Sequence, residues 1–255
     1  HTAFLSWRDT PFSQRAAVLA KAAQLLRASK LDFAKILTLE MGKLLAEAQA
    51  EVELSAEILD YFAAHGEAFM QPDTLPVSKA NGRAIVAREP LGVLLAVEPW
   101  NFPYYQVARI LAPQLMAGNT LLLKHASNVP QSALAFEKLM RDAGLIDGAF
   151  INLFVNHTQI ETILNDTRVH GVALTGSEGA GAVVAAAAGK ALKKSTLELG
   201  GADAFVVLED ADLPKTAKWG VFGRHWNAGQ VCVSSKRMIV VDAVFDEYLR
   251  LYTEG

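Results

Sequence analysis

Apolar residues in the first seventy positions recur every three or four residues, which is the spacing of one face of an α-helix. The first such stretch begins near Pro11 and has basic residues opposite its apolar face. Its apolar face consists of Ala17, Leu19, Ala20, Ala23, Leu25 and Leu26. Further helices are expected over residues 31–39 and 44–64. The latter has four carboxylates that we assign to a solvated acidic face, namely Glu47, Glu51, Glu53 and Glu57.

The pattern changes over residues 71–88. This stretch contains two prolines, an Asn81-Gly82 turn signal and then alternating apolar and polar positions. Alternation with a period of two is typical of a β-strand, and Asn-Gly favours a tight hairpin turn. We therefore expect a hairpin or a protruding pair of strands here.

Beyond residue 91, short apolar runs alternate with helical patterns. The predicted strands cover residues 92–97, 120–124, 150–155 and 169–174, and the predicted helices cover 131–142, 159–165 and 180–192. This order predicts a Rossmann-like α/β fold, a parallel sheet with helices on both faces. Ligands of such sheets bind beyond the carboxyl ends of the strands. The positions to consider there are Asn101, residues 124–127 and residues 175–181.

After the Gly200-Gly201 pair the pattern starts again. The predicted elements are a strand, a helix, a strand and a helix, over residues 204–208, 213–226, 237–241 and from about 245. So short a unit rarely buries enough surface to fold alone, and two parallel strands leave an open edge. We therefore expect the natural protein to continue beyond Gly255. Because the chain begins at His1 rather than at Met, we also expect residues upstream.

Composition narrows the classes of function. The net charge of −3 argues against nucleic acid and anionic membranes as partners. No apolar run is long enough to predict a membrane span, and the amino terminus lacks the pattern of a secretory signal. The single cysteine, Cys232, excludes an intrachain disulfide and favours a reducing compartment such as the cytoplasm. No histidine or cysteine cluster has the spacing of a metal site, so no metal is expected.

A glycine-rich turn, Thr175-Gly176-Ser177 followed by Gly179 and Gly181, connects a predicted strand to a predicted helix. Glycines let the backbone approach a phosphate closely, and the amino terminus of a helix supplies free N–H groups. The spacing departs from the usual dinucleotide-binding pattern. A phosphate site and a purely structural turn both remain open.

Cys232 and Glu198 are the candidate nucleophile and base. An isolated cysteine is often a small buried hydrophobe, and a nucleophilic role requires surroundings that favour the thiolate. Glu198 lies between Leu197 and Leu199 at a strand end. It is either a solvated strand residue or, if burial raises its pKa, a general base.

Two further polar residues follow predicted strands. Asn101 lies in a Pro-Trp-Asn-Phe-Pro turn. It is either a simple turn residue or an amide donor to an oxyanion, because a rigid turn is a good mount for such a donor. Lys124 ends an apolar strand, and it either extends its ammonium group to solvent or binds cofactor hydroxyls or phosphate.

Five motifs stand in a fixed order along the chain. They are Pro99-Trp100-Asn101-Phe102-Pro103, Leu122-Leu123-Lys124, Thr175-Gly176-Ser177, Glu198-Leu199-Gly200-Gly201 and Gly229-Gln230-Val231-Cys232. Together they resemble the aldehyde dehydrogenase superfamily, and the resemblance extends from the first helices to the last residue. The agreement of all five in register, including the separation of Glu198 from Cys232, makes coincidence a poor explanation.

The resemblance implies a mechanism. Cys232 would attack an aldehyde carbonyl to form a thiohemiacetal, and Asn101 with the Cys232 backbone N–H would stabilise the oxyanion. Hydride would pass to a nicotinamide and leave a thioester, which water activated by Glu198 would hydrolyse. The positions that the resemblance assigns to cofactor binding are Pro99, Trp100, Lys124, Ser127, Thr175, Gly176, Ser177 and Leu199.

The resemblance also implies a domain organisation. Residues 1–70 and 91–198 would form the cofactor-binding domain, and residues 71–90 an oligomerisation hairpin of a homodimer or homotetramer. Residues 199–255 would begin a catalytic domain that is incomplete here. Since a later family motif that holds the nicotinamide ribose lies beyond residue 255, we expect the chain alone to bind cofactor weakly or not at all.

Two details bear on specificity. The family often has Pro-x-Glu after the lysine, with a glutamate that binds the adenosine ribose, whereas this chain has His125-Ala126-Ser127. Without that carboxylate the 2′-phosphate of NADP is not repelled, and the Ser127 hydroxyl could donate to that phosphate. NADP is therefore favoured, and NAD remains an open alternative. Arg109 follows Asn101 by eight residues, as in succinate-semialdehyde dehydrogenases, where an arginine lies near the substrate carboxylate.

The Arg109 position, with residues 7–12 and 124–129, resembles the bacterial succinate-semialdehyde branch. The small aldehyde substrate would then be succinic semialdehyde. An arginine on a helix surface, and another aliphatic or aromatic aldehyde as substrate, are the alternatives.

Two other classes compete. A truncated, non-catalytic cofactor-binding module would show no thiol reactivity at Cys232. A cysteine hydrolase would need a histidine base, and the histidine nearest in sequence, His225, falls inside a predicted helix.

Overall fold

The helical spacing of the amino-terminal residues corresponds to four helices. They are α1 (Thr2–Trp7), α2 (Phe12–Ala28), α3 (Lys30–Met41) and α4 (Leu45–Phe69). The computed structural model describes residues 1–78 and 82–255. Gly42 ends α3 in the left-handed region (φ 77°), where glycine has no steric penalty, and this lets the chain turn into α4. Leu19 and Leu26 of the predicted apolar face of α2 are fully buried, which confirms that face.

The acidic side of α4 is not uniformly solvated. Glu57 is exposed, but Glu51 is only 3% exposed. Glu51 lies three residues after buried Ala48 and four before buried Ser55, so it belongs to the inward stripe of the helix. The prediction of a solvated carboxylate is therefore wrong for Glu51.

The predicted pair of strands is present between α4 and the central sheet. Strands β1 (Asp73–Leu75) and β2 (Ala84–Val86) pair antiparallel, with Thr74 opposite Ile85. The predicted Asn81-Gly82 turn depends on Asn81, which lies outside the described residues.

A five-stranded parallel sheet follows. Its strands are β3 (Val93–Glu98), β4 (Thr120–His125), β5 (Phe150–Asn152), β6 (Val169–Thr175) and β7 (Lys194–Glu198). The connecting helices are α5 (Pro103–Ala117), α6 (Pro130–Asp142), α7 (His157–Asn165) and α8 (Glu178–Lys190). The spatial order is β5-β4-β3-β6-β7, and all neighbours are parallel. The predicted Rossmann-like α/β fold is confirmed.

Capping residues move two boundaries away from their predicted positions. Helix α7 begins two residues earlier than predicted, because Asn156 caps it through a reciprocal pair of hydrogen bonds with Gln159, and strand β5 ends at Asn152, three residues before its predicted end. Helix α8 begins two residues earlier than predicted, because the Ser177 hydroxyl accepts a hydrogen bond from the backbone N–H of Ala180.

The strand order reverses at β3, which has β4 on one side and β6 on the other. In an open parallel sheet such a reversal leaves a crevice beyond the carboxyl ends of the strands. Helices α1 to α6 pack against β3, β4 and β5 in one apolar core, and α7 and α8 contact β6. These packed helices and strands thus support the turns that leave β3, β4 and β6.

The chain divides into two units, His1–Glu198 and Leu199–Gly255, which are described separately. The second contains β8 (Asp203–Val207), α9 (Leu213–His225), β9 (Ser235–Val240) and α10 (Phe245–Glu254). Strands β8 and β9 are parallel, and Val207, Ala217 and Tyr248 form a small core. The predicted start of a second α/β unit is confirmed. Across residues 1–78 and 82–255, no helix is long and apolar enough to cross a membrane.

Candidate active site

The turn that leaves β3 contains Pro99, Trp100 and Asn101. It lies at the reversal of strand order and ends at Pro103, the first residue of α5. Proline is favoured at this helical position because it has no N–H to leave unsatisfied. Trp100 is 37% exposed, so its indole is available to a ligand on the same side of the sheet.

A cavity of about 340 Å³ lies beyond the ends of β4 and β5. Its lining includes Lys124, Ser127 and Asn152. Burial lowers the pKa of the Lys124 ammonium, and Ser127 is exposed at the surface. Among the described residues, neither the amide nitrogen nor the amide oxygen of Asn152 has a hydrogen-bond partner, although both atoms are buried. A ligand rich in hydroxyl or phosphate groups fits this set of donors and acceptors.

His125, next to Lys124, is buried and neutral. Its Nε2 donates to the Pro103 carbonyl oxygen (3.0 Å), and its Nδ1 accepts from the Ala126 N–H (2.9 Å). Burial lowers the pKa of the imidazole to about 4, which keeps this tautomer at neutral pH. His125 therefore connects the loop that leads to Ser127 with the start of α5.

The glycine-rich turn after β6 is tied to its neighbours. The Gly176 N–H donates to the backbone oxygen of Glu198 (2.9 Å), which fixes the end of β6 beside β7. The Thr175 hydroxyl accepts from Arg109 Nη2 (2.9 Å), and Ser177 caps α8. The turn therefore has a clear structural role, and a phosphate role remains a proposal.

Glu198 ends β7 and lies close to Arg109, with 3.7 Å between Oε2 and Nη1. Its side chain is 59% exposed, so the burial suggested by its leucine neighbours is not found. Successive side chains of a strand point to opposite faces, and Leu197 therefore does not cover the carboxylate. The carboxylate is thus open to solvent on the side of the sheet edge where the site residues lie.

Glu98 is a buried carboxyl group that the sequence reading did not single out. It lines a cavity of about 180 Å³ together with Arg109, Thr175 and Glu198. Burial raises the pKa of Glu98 to about 8, and the nearby Glu198 charge adds to that effect, while Thr175 and Arg109 oppose it. The available signal was a charged residue at the end of an otherwise apolar strand, directly before Pro99.

Glu98→Gln is expected to stabilise the protein more at pH 8 than at pH 5. The folded-state pKa of Glu98 lies above its unfolded value, so unfolding releases a proton and rising pH lowers the free energy of unfolding between about 4.5 and 8. Removing the group cancels a loss on the order of 2–4 kcal/mol across that range. Urea unfolding at both pH values checks this, with exposed Glu209→Gln as the control. An equal change at the two pH values would contradict it.

Cys232 lies in the second unit, in the loop between α9 and β9, and is half-buried. Asn227 and Ala228, just upstream, have positive φ (51° and 55°), and Gly229 follows at 74°. Left-handed residues other than glycine are strained, and such strain is concentrated at functional sites. The ammonium group of Lys236 donates to the Cys232 carbonyl oxygen (2.7 Å), so the loop is held in place and carries a positive charge.

The first unit brings most of the predicted site residues to one edge of its sheet. They are Pro99, Trp100, Asn101, Arg109, Lys124, Ser127, Thr175, Gly176, Ser177 and Glu198. Cys232 and Leu199 belong to the second unit. Within the described part of the chain, no group of three or more histidine, cysteine or acidic side chains could hold a metal ion.

Known proteins that are similar to this chain share one enzyme family. A succinate-semialdehyde dehydrogenase (NADP+) from Deinococcus radiodurans is 50% identical over 97% of this chain and 51% of its own length. A probable succinate-semialdehyde dehydrogenase (NADP+) from Synechocystis sp. is 44% identical over 99% of this chain and 55% of its own length. The structure of a succinic semialdehyde dehydrogenase from Streptococcus pyogenes with NADP+ is 47% identical. It has a TM-score of 0.96 and covers 100% of this chain and 56% of that one.

The chain thus spans about half the length of the curated relatives that it matches. The model of the aldehyde dehydrogenase family matches residues 1–255, from the first residue to the last. That match includes the β3 turn, the glycine-rich turn and the Cys232 loop. The chain therefore belongs to the aldehyde dehydrogenase family.

Proposed function

We propose that this chain is part of an NADP-dependent succinate-semialdehyde dehydrogenase, to which it contributes most of the cofactor-binding residues and the nucleophile. The observation that carries the substrate assignment is the guanidinium of Arg109, which lines one cavity with Glu198 at the reversal of strand order. The names of the similar proteins support the same reaction and cofactor.

In the proposed reaction, the Cys232 thiolate adds to the aldehyde carbon and the carbonyl oxygen becomes an oxyanion. The Asn101 amide and the Cys232 backbone N–H donate to that oxyanion. Bound NADP supplies the acceptor for the hydride that the carbon loses. Glu198 then removes a proton from water, which adds to the thioester carbon. Collapse releases the carboxylate product and regenerates the thiolate.

The cavity beyond β4 and β5 supports NADP as the cofactor. Lys124, Ser127 and the amide of Asn152 would hold the adenosine part of the cofactor there, and Pro99, Trp100, Thr175, Gly176, Ser177 and Leu199 would contact its remainder. Among the described residues that line this cavity none is a carboxylate, so no acidic side chain in its wall repels a 2′-phosphate. NAD remains the second cofactor to compare.

Arg109→Ala is expected to raise KM for succinic semialdehyde by about 10–100-fold, because a charge-assisted hydrogen bond to the substrate carboxylate is lost. KM for butanal, which has no carboxylate, is expected to change less than about threefold. Steady-state kinetics of the protein, extended to the length of its relatives, measures KM for both aldehydes. Arg141→Ala, an exposed arginine on α6, serves as the control. An equal rise for both aldehydes would show that Arg109 acts through Glu198 and not on the substrate.

A second candidate is the oxidation of an uncharged aliphatic or aromatic aldehyde. The Arg109 guanidinium already donates to the Thr175 hydroxyl, and the Glu198 carboxylate 3.7 Å away offsets part of its charge. A preference for butanal or benzaldehyde over succinic semialdehyde would favour this candidate. A truncated, non-catalytic module remains the alternative from another class, and it predicts no turnover with any aldehyde.

We further propose that residues 1–70 and 91–198 form the cofactor-binding domain and that residues 199–255 begin the catalytic domain. The β1–β2 pair within residues 71–90 would assemble a homodimer or homotetramer. Leu75, Val77, Ile85 and Val86 are large apolar side chains that are exposed there, which supports burial against another copy. A cytoplasmic location fits the single cysteine. Analytical ultracentrifugation of Ile85→Lys against the parent protein tests the assembly.

A further inference from the structure

A buried ion pair lies beneath the turn that contains Asn101. The side chains of Lys43, before α4, and of Glu51, in α4, are each 1% exposed, and the Lys43 ammonium donates to the Glu51 carboxylate. The same ammonium donates to the backbone carbonyl of Asn101 (2.9 Å) and lies 3.8 Å from the ring centroid of Phe102. Lys43 therefore holds the residue that carries the candidate oxyanion donor.

Glu51 holds the other side of the same turn. Its second carboxylate oxygen accepts from the backbone N–H groups of Tyr104 (2.9 Å) and Tyr105 (3.2 Å), in the first turn of α5. The N-cap residue of that helix, Phe102, makes no side-chain cap hydrogen bond. A carboxylate at the positive end of a helix satisfies N–H groups that have no partner inside the helix. The carboxylate of α4 thus serves as the cap of α5.

Burial works against both charges. It lowers the pKa of Lys43 and raises the pKa of Glu51, although each group opposes the other's shift. A buried ion pair often contributes no more stability than apolar residues of the same volume. Its placement matters more here, because the hydrogen bonds of the pair converge on residues 101–105.

We propose that Lys43 and Glu51 are positioning residues for the Asn101 side chain. The pair fixes the Asn101 carbonyl and the first turn of α5 that follows it, and the amide is thereby aimed at the oxyanion before substrate binds. Catalytic donors must be held within a fraction of an ångström, and a misplacement of about 1 Å can lower the rate about 100-fold. This inference rests on the proposed function, because it assigns Lys43 and Glu51 a part in the same aldehyde oxidation.

The test is a double-mutant cycle of Lys43→Met and Asn101→Ala. It is carried out in the protein extended to the length of its relatives. Lys43→Met keeps the length of the side chain and removes its charge and its donors. It is expected to lower kcat about 100-fold, while Kd for NADP changes less than about twofold. Asn101→Ala is expected to lower kcat about 100–1,000-fold. In the Asn101→Ala background, Lys43→Met is expected to lower kcat less than about threefold, since the amide that it positions is gone.

A 100-fold effect of Lys43→Met that persists in the Asn101→Ala background would overturn the proposal, because Lys43 would then act independently of Asn101. An unchanged kcat in Lys43→Met would also overturn it. If Lys43→Met does not fold, Glu51→Gln replaces it in the same cycle with the same expectations. Glu53→Gln is the matched control, since Glu53 lies on α4 in a half-exposed ion pair with Arg27.

Failure of the proposed function gives a different result. In that case the parent protein does not oxidise the aldehyde, or Asn101→Ala retains the parent kcat. An active parent with a defective Asn101→Ala variant supports the proposed function, and the Lys43 cycle then tests the positioning proposal alone.

Discussion

Cys232→Ala is expected to lower aldehyde oxidation by at least about 10⁴-fold, because no other group can form the covalent intermediate. Cys232 is the only cysteine of this chain, so no second thiol in it can replace the first. Binding of NADP is expected to be retained, since the proposed contacts of the cofactor lie mainly in the first unit. Steady-state formation of NADPH measures the first effect, and a fluorescence titration with NADPH measures the second.

A matched control for the cysteine is available beside it. Val233 is 69% exposed in the same loop, and Val233→Ala is expected to retain turnover within about twofold, as surface substitutions usually do. Iodoacetamide followed by peptide mass spectrometry is expected to label Cys232 and to abolish turnover together. Turnover in Cys232→Ala near the parent rate would contradict the covalent mechanism and favour a nucleophile elsewhere.

Glu198→Gln is expected to separate the two chemical steps. The first turnover should still produce NADPH, because attack by the thiolate and loss of hydride do not need the carboxylate. Steady-state turnover is expected to fall about 10²–10⁴-fold, because hydrolysis of the thioester loses its general base. Stopped-flow absorbance at the NADPH band is expected to show a burst of about one equivalent per site, followed by a slow phase.

The exposure of Glu198 makes this a fair test. Glu198 is the last residue of the edge strand β7, and its side chain is 59% exposed. The glutamine amide can therefore replace the carboxylate without a change in packing. Glu209→Gln, at an exposed position after β8, is expected to show parent kinetics. If Glu198→Gln turned over at the parent rate, or lost the burst together with the slow phase, the assignment of Glu198 as base would be wrong.

Much of the fold could be predicted because strand periodicity and turn chemistry are local. The alternation of apolar strands with helices gave the parallel sheet, and the sheet in turn defined the edge at which Asn101, Lys124 and Thr175 gather. Boundaries were less accurate where a single hydrogen bond decides them. Asn156 with Gln159, and Ser177 alone, are capping signals that are visible in the sequence and explain the shifts.

The charges of the site were harder to predict. Glu51 was assigned to solvent because it lies among three other glutamates, whereas its environment depends on α5 and on Lys43, far away in the sequence. Glu98 was not singled out, although it is a charged residue at the end of an otherwise apolar strand, and its enclosure depends on α5, β6 and β7, which line the same cavity. For Glu198 a solvated strand residue and a buried base were both left open, and the direction of side chains along β7 leaves the carboxylate exposed. Long-range packing decides the cases of Glu51 and Glu98, whereas the exposure of Glu198 follows from local strand geometry.

The central claim is that the protein oxidises succinic semialdehyde with NADP through Cys232. The most direct measurement is the rate at which reduced cofactor forms with succinic semialdehyde, with NADP and NAD compared side by side. The sample is the protein extended to the length of its relatives. We expect turnover with both and a higher kcat/KM with NADP. Absence of reduced cofactor with either one, from folded protein that binds NADPH, would contradict the claim.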